Sequence, residues 1–367
     1  MDLSIIIPTY DRIITLRRCL AAINEVRFEG SAEVVVVEDG GSEKSRSVLE
    51  AAELGIPFRW LWIRNLRHNP ARARNTGAIH CSGQRLLFLD DDVIVSTELI
   101  RAHLLLHGDG HPVLGVGFHT RIHFDDWTAS LKINEEVRGI KDPKISMLHS
   151  KFFKANPWAF ASASHMSIER STFLECGLFD EGFEGWGFED TELAFRVFRA
   201  GLLIQFITEP AAVHLDIDND ALSGGVDRPP VAENRFNAFM RNADYFIDKY
   251  DNEVELERII REDICTRLIG SPNTVSSTVL KVPSHLSLLT PYAEGDEFFI
   301  RTREKDTLDL NPTQARFRSR YLSNIIFIYF RFWPVVRRAL SYSGAVCLIV
   351  LFTVWLFLSG RYRRLIH

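Results

Sequence analysis

The chain has 367 residues, with 43 Lys and Arg against 48 Asp and Glu, for a formal net charge of −5. That balance excludes a broadly basic nucleic-acid coat. Charged residues at 25% and hydrophobic residues at 46% exclude wholesale disorder, and 22 Gly with 14 Pro exclude a fibrous or low-complexity chain.

The first hundred residues alternate short apolar runs with helical spacing. Leu3 to Pro8, Glu33 to Glu38, Phe58 to Ile63 and Arg85 to Leu89 read as strands, each followed by polar or turn residues. Between them Leu16, Leu20 and Ile23 recur at helical spacing, and Ala71 to Ile79 is short and Ala-rich. This repetition predicts an α/β domain with a mostly parallel, Rossmann-like sheet and helices on both faces. Ligands of such sheets bind beyond the carboxyl ends of the strands. Thr9-Tyr10-Asp11, Asp39-Gly40-Gly41-Ser42, Arg64-Asn65 and Asp90-Asp91-Asp92 therefore carry the interest. Met1 leads directly into the first strand, with no signal peptide expected.

Further strands are expected at Val113 to His119, Ser162 to Ile168 and Leu202 to Ile207, and a helix at Asp190 to Ala200 that Gly201 stops. Two helices are expected between 233 and about 270, followed by a Ser-, Thr- and Pro-rich linker over 271–312. The five cysteines, Cys19, Cys81, Cys176, Cys265 and Cys347, form no CxxC pair and fit plain core use in a reducing compartment.

The tail differs in kind. Residues 339–360 carry no charge over 22 positions, with Arg337 and Arg338 on one flank and Arg361, Arg363 and Arg364 on the other. As a helix this stretch reaches about 33 Å, enough to span a bilayer. Ile325 to Val336, interrupted by Arg331 and Pro334, suits the interface instead.

Three features carry chemistry. Asp90-Asp91-Asp92 puts three carboxylates at an apolar strand end, where a hard divalent cation offsets their repulsion; a helix-capping cluster is the alternative. Gly185-Trp186-Gly187-Phe188-Glu189-Asp190 turns the backbone around an indole and places two acids at a helix start, where they serve a general base or simple capping. His214, in Val213-His214-Leu215, is either a ligand or a structural histidine.

Taken in order, these blocks resemble the family 2 glycosyltransferases, which have the GT-A nucleotide-sugar fold. Ser4 to Tyr10 resembles the opening strand, Val36 to Ser42 the V-D-D-G-S turn, Asn69 to Gly77 the A-R-N-x-G segment and Phe88 to Asp92 the DXD motif. Ser164 to Ile168, Gly177 to Glu181 and the G-W-G-x-E-D block resemble the acceptor side, the last as in galactosyl- and N-acetylgalactosaminyltransferases. The chain departs from the pattern at Glu38 and at the extra Gly41.

The resemblance implies that Pro8, Thr9, Tyr10 and Asp39 line the nucleoside pocket and that Arg74, Asp90 and Asp91 belong to the donor site. It implies metal ligation by Asp90, Asp92 and His214, with Mn²⁺ or Mg²⁺ as cofactor. Asp190 would be the base, with Glu189, Trp186 and Gly187 at the acceptor. The implied organisation is a GT-A domain over 1–215, with a donor half to about 110 and an acceptor half from 111. A helical and irregular extension over 216–320 and a membrane-associated tail over 321–367 follow.

The expected enzyme is an inverting, metal-dependent hexosyltransferase. It would use a nucleoside-diphosphate sugar, UDP-linked, and a hydroxyl acceptor on a glycan or lipid-linked glycan. The tail would hold it at a membrane, the inner membrane of a bacterial cell, with its catalytic domain cytoplasmic and no nucleic-acid partner. The alternatives are an inactive scaffold of the same fold, or a nucleotidyltransferase.

Overall fold

A computed structural model describes residues 1–40, 49, 54–63, 68–108, 110–123, 136–216, 235–250, 253–268, 277–281 and 305–310. The tail expected to associate with a membrane, including 339–360, lies outside these residues, as do Gly41, Ser42, Arg64 and Asn65. No helix among the described residues is long and apolar enough to cross a membrane.

The strands are β1 (Leu3–Thr9), β2 (Ala32–Glu38), β3 (Phe58–Ile63), β4 (Arg85–Leu89), β5 (Val93–Ile94), β6 (Val113–His123), β7 (Glu136–Lys141), β8 (His165–Glu169), β9 (Leu203–Asp216), β10 (Ser277–Lys281) and β11 (Lys305–Leu310). The principal helices are α1 (Ile13–Asn24), α2 (Pro70–His80), α3 (Thr97–Leu105), α4 (Lys151–Ala155), α5 (Arg170–Glu175), α6 (Glu189–Arg199), α7 (Arg235–Lys249) and α8 (Val254–Arg258).

Among the described residues all eleven strands belong to one sheet, in the order β10-β7-β6-β8-β4-β1-β2-β3-β11, with β9 paired to β6 and β5. The expected mostly parallel sheet is only half of it. β4, β1, β2, β3 and β11 run parallel. β8 is antiparallel to both β4 and β6, and β7 and β10 extend that side antiparallel. Strand direction depends on how the chain crosses the sheet, which the alternation of the first hundred residues does not encode for the later ones.

β1 and β2 are buried along their whole length because both sheet faces are covered. Ile6, Val35, Val37 and Phe88 join the apolar cluster on one face, and Ile5, Ile7, Val34, Val36 and Leu89 the cluster on the other. α1 seals the second face with Leu16, Cys19, Leu20 and Ile23. α2 lies on the first, where a Cβ at Gly77 would come within 2.4 Å of Ile6. Asn69 caps α2 by accepting the Arg72 N–H at 2.9 Å, and Pro70 occupies the first turn. Cys19, Cys81 and Cys176 are buried and free, as plain core use predicts.

Three expectations shift. β9 runs on to Asp216, so His214 lies within a strand rather than after one. β8 starts at His165 instead of Ser162. The segment read as a linker over 271–312 supplies β10 and β11 at opposite ends of the sheet, so sequence beyond 215 is part of the same layer.

Candidate active site

The site lies at the carboxyl ends of β1, β2 and β4, where three buried or half-buried arginines meet the acids. Thr9, last in β1, donates its hydroxyl to Asp91 Oδ2 at 2.6 Å. Arg12, at the start of α1, reaches Asp91 Oδ1 at 3.1 Å and Asp92 Oδ2 at 2.6 Å. Asp39, after β2, accepts the Asn69 N–H at 2.5 Å and the Arg72 Nε–H at 3.1 Å, and Arg72 Nη2 closes a second contact to the same carboxylate. Arg74 extends one nitrogen to Asp90 Oδ1 and another to Glu189 Oε1, both at 2.8 Å, with its guanidinium 5.5 Å above the Phe179 ring. It thereby links the strand-end acids to the acceptor-side helix.

The three consecutive aspartates separate by environment. The Asp90 side chain is 32% exposed, against 4% for Asp91 and 7% for Asp92. Asp91, expected at the donor, turns inward to the Thr9 hydroxyl and the Arg12 guanidinium. Burial pushes its carboxyl up to about 7, with Arg12 opposing. At Asp92 burial also raises the carboxyl, but Arg12 and His214 outweigh it and the net shift is downward. Burial lifts Asp39 to about 6 against the pull of Arg72. Of the residues expected to line the nucleoside pocket, Thr9 is bonded to Asp91 and Pro8 is buried in the sheet. Tyr10 stays half-buried, its ring 5.5 Å from that of His68.

The ligands expected for a metal are partly assembled. β9 pairs with β5 so that His214 lies opposite Val93, and His214 Nε2 sits 3.5 Å from Asp92 Oδ1. That oxygen is buried and has no hydrogen-bond partner, as does His214 Nδ1. A buried carboxylate oxygen facing an imidazole nitrogen, with nothing else to satisfy it, fits a divalent cation. Asp90 departs from the expectation and faces Arg74. Among the described residues no three His, Cys, Asp or Glu side chains converge as a preformed cage.

Around residues 185–190, expected at the acceptor, backbone geometry dominates. Gly185, Gly187 and Phe188 adopt φ of +74°, +98° and +75°, a conformation that costs a bulky residue strain. This bend leaves Trp186 45% exposed and brings Glu189 and Asp190 to the first turn of α6. Glu189 is buried against Arg74; burial, then the charge of Asp190, pushes its carboxyl up to about 7. Asp190 remains half-exposed. Its Oδ2 accepts the Ala163 N–H at 3.0 Å and its Oδ1 the Thr191 N–H at 2.7 Å. The next carbonyl, Ser164 O, accepts the Asp90 N–H at 2.9 Å. Two successive residues thus tie Asp190 and Asp90 together. Asn75 docks the intervening segment, accepting the Phe179 N–H and donating to Phe179 O, both at 2.9 Å.

Arg12, Arg72 and Asn75 were not singled out as site residues from the sequence. The signal for two of them was α2 itself. Its core-facing stretch reads Ala71-Arg72-Ala73-Arg74-Asn75, and buried cations there require acids across the site.

The comparisons with known proteins agree with this geometry. Residues 4–175 match the family described as glycosyl transferase family 2, and residues 145–216 match one described as the N-terminal domain of galactosyltransferase. Both matched families are described as glycosyltransferases. The family 2 match covers 172 of the 367 residues. It is 27% identical over 271 residues to validoxylamine A glucosyltransferase of Streptomyces hygroscopicus subsp. jinggangensis strain 5008, covering 68% of this chain and 61% of that one. It is 24% identical over 292 residues to the glycosyltransferase YfnE of Bacillus subtilis strain 168, covering 69% and 71%. Among solved structures it is similar to S. aureus TarS 1–349 in complex with UDP-GlcNAc, at 18% identity and a TM-score of 0.49, covering 73% and 72%. The alignments span 61% and 56% of the first two curated relatives.

Proposed function

We propose that the protein transfers a hexose from a UDP-linked sugar to a hydroxyl of a glycan or lipid-linked glycan, with inversion at the anomeric carbon. The observation that carries this reading is the tie between Asp190 and Asp90 through Ala163 and Ser164, reinforced by Arg74. It puts a half-exposed carboxylate of fixed orientation beside the strand ends where α/β sheets bind nucleotides.

Asp190 takes the acceptor hydroxyl proton. The oxygen attacks the anomeric carbon from the side opposite the diphosphate, and the bond from that carbon to the phosphate oxygen breaks with its electron pair going to the leaving group. One base and one displacement make an α-linked donor give a β-linked product. Arg74 and Arg12 supply fixed positive charge beneath the site. Asp92 and His214 would hold Mn²⁺ or Mg²⁺, which when bound supplies charge to offset the leaving diphosphate. The uncharged stretch 339–360 with its flanking arginines supports attachment to a membrane, with the catalytic domain on the cytoplasmic side.

A screen of UDP- and GDP-sugars for nucleoside-diphosphate release with Mn²⁺ present tests the reading. Release from one UDP-sugar, rising when a hydroxyl acceptor is added and lost in Asp190→Asn, is the expected result. Absence of release from every donor overturns it.

A further inference from the structure

Helix α7 lies beyond both stretches matched to known families, which end at residue 216. It nevertheless covers the whole inner side of the loop 182–188. A Cβ at Gly182 would lie 2.3 Å from the Tyr245 hydroxyl oxygen, and one at Gly187 would lie 2.6 Å from the Phe239 ring. The Phe239 ring stands 5.4 Å from Trp186 and 4.5 Å from Phe188. The loop glycines are thus explained by the approach of this helix as much as by their own φ.

At the centre of the contact is Asn242, which is 1% exposed. Its Nδ2 lies 3.1 Å from the carbonyl oxygen of Glu184, 3.3 Å from that of Trp186 and 2.8 Å from that of Gly187. Arg241 adds a 2.6 Å bond to the Glu184 carbonyl. A loop bent through left-handed φ at 185, 187 and 188 cannot pair these carbonyls in a ladder or a helix, and leaving them buried and unpaired is costly. One carboxamide serves all three. The Trp186 side chain is left 45% exposed.

We propose that Asn242 is a positioning residue for acceptor recognition. By holding the carbonyls of 184, 186 and 187 it sets both the outward angle of Trp186 and the entry of the chain into α6, and hence the height of Asp190. The acceptor site is therefore incomplete at residue 216 and is finished by α7. This rests on the reading of Trp186 and Asp190 as acceptor-side groups.

The test uses the full chain carrying Asn242→Asp, which sets a carboxylate against three carbonyl oxygens, with Asn242→Ala as a milder second variant. Two activities are measured with UDP-sugars and Mn²⁺: hydrolysis to water, and transfer to p-nitrophenyl glycosides as acceptor probes. Transfer should fall by about 10²-fold in Asn242→Asp, carried by the acceptor KM, since a displacement of about 1 Å costs that much. Hydrolysis and donor KM should stay within about twofold, because the bonds of Asn242 go to the carbonyls of 184, 186 and 187 and not to the strand-end acids. An unchanged acceptor KM overturns the proposal, and so does hydrolysis that falls in parallel with transfer. Amide hydrogen exchange provides a readout independent of activity. Exchange over 183–188 should rise about tenfold in Asn242→Ala with that of β1 unchanged, and equal exchange in both proteins overturns the proposal. A parent that hydrolyses no donor refutes the underlying functional reading but leaves this second measurement decisive for the clamp.

Discussion

The floor of the site and its acceptor rim are held by different physics. On the floor, Asp91, Asp92, Asp39 and Asp90 are each paired with an arginine, three of them buried. On the rim, the loop before α6 is held through backbone carbonyls, glycine φ angles and aromatic contacts. An ion-paired floor keeps its charges where they are with or without a ligand. A carbonyl-held rim has no such charge lock, and its shape depends on the helix behind it. The floor suits a constant group such as a nucleoside diphosphate.

Breaking the rim at its reacting group should have the largest effect. Asp190→Asn keeps the side-chain shape but cannot accept a proton, so transfer falls by about 10²–10⁴-fold while donor binding stays nearly intact. Turnover within a few-fold of the parent would show that the base is elsewhere. Cutting the tie between the regions comes next. Arg74→Met leaves Glu189 buried without its cation and should cost about 3–5 kcal/mol of stability in urea denaturation. Because Glu189 is already pushed up toward 7, it is more fully protonated at pH 5 than at pH 8, and the loss should be smaller at the lower pH.

The floor itself is probed with metal alone. Asp92→Ala and His214→Ala should each weaken Mn²⁺ binding about tenfold or more in calorimetric titration, since even indirect partners of a ligand matter 10–100-fold. Asp91→Asn should leave it nearly unchanged, because Asp91 faces Thr9 and Arg12. Equal effects at Asp91 and Asp92 would erase the division drawn between them.

The smallest effect lies behind the floor. His103, His107 and His165 form a buried relay through Ser167, with contacts of 2.9 to 3.0 Å. Burial lowers His107 to about 4 from an ordinary value of 6.5. Between those values the unfolded chain binds a proton that the folded one does not, so this histidine subtracts stability as pH falls from 6.5 toward 4. His107→Gln keeps a donor at the Nε2 position and removes that loss. Its Tm relative to the parent should be a few degrees more favourable at pH 5 than at pH 7.5; a pH-independent difference would contradict it. The comparison with the parent is needed because Asp39, Asp91 and Glu189, all raised, give slopes of the opposite sign.

The floor was more legible in sequence than the rim. Three acids after an apolar strand stand out whatever their surroundings, and the parallel half of the sheet follows from strand–helix alternation. Which acid faces inward did not follow, because that depends on Arg12, brought to Asp91 only when β1 and β4 pair. Arg72 could be read as a buried cation in α2, but not its partner Asp39, which lies 33 residues away. The Gly-Trp-Gly loop was visible as a turn, but Asn242 sits 55 residues beyond Gly187 in an unremarkable helical stretch, so nothing local linked them. β10 reads Ser277-Thr278-Val279-Leu280-Lys281, a short edge segment whose polar ends resemble a linker.

The 14-residue β9 has a consequence for how this chain tolerates length changes. His214 is held by two ladders at once, opposite Val93 on one side and Arg121 on the other, and the Leu215 N–H is bonded to the Asp92 carbonyl at 2.9 Å. Side chains along a strand alternate, so slipping the paired stretch from Ala212 to Asp216 by one residue would carry His214 to the opposite face of the sheet. Between the Gly117–Ile207 and His119–Ala212 pairs, one β6 residue, Phe118, stands opposite four of β9, Thr208 to Ala211. The stretch from Ala212 to Asp216 therefore behaves as a spacer of fixed count. Grafts that bring a foreign acceptor half onto this donor half should keep that count while leaving the residues within it free to vary.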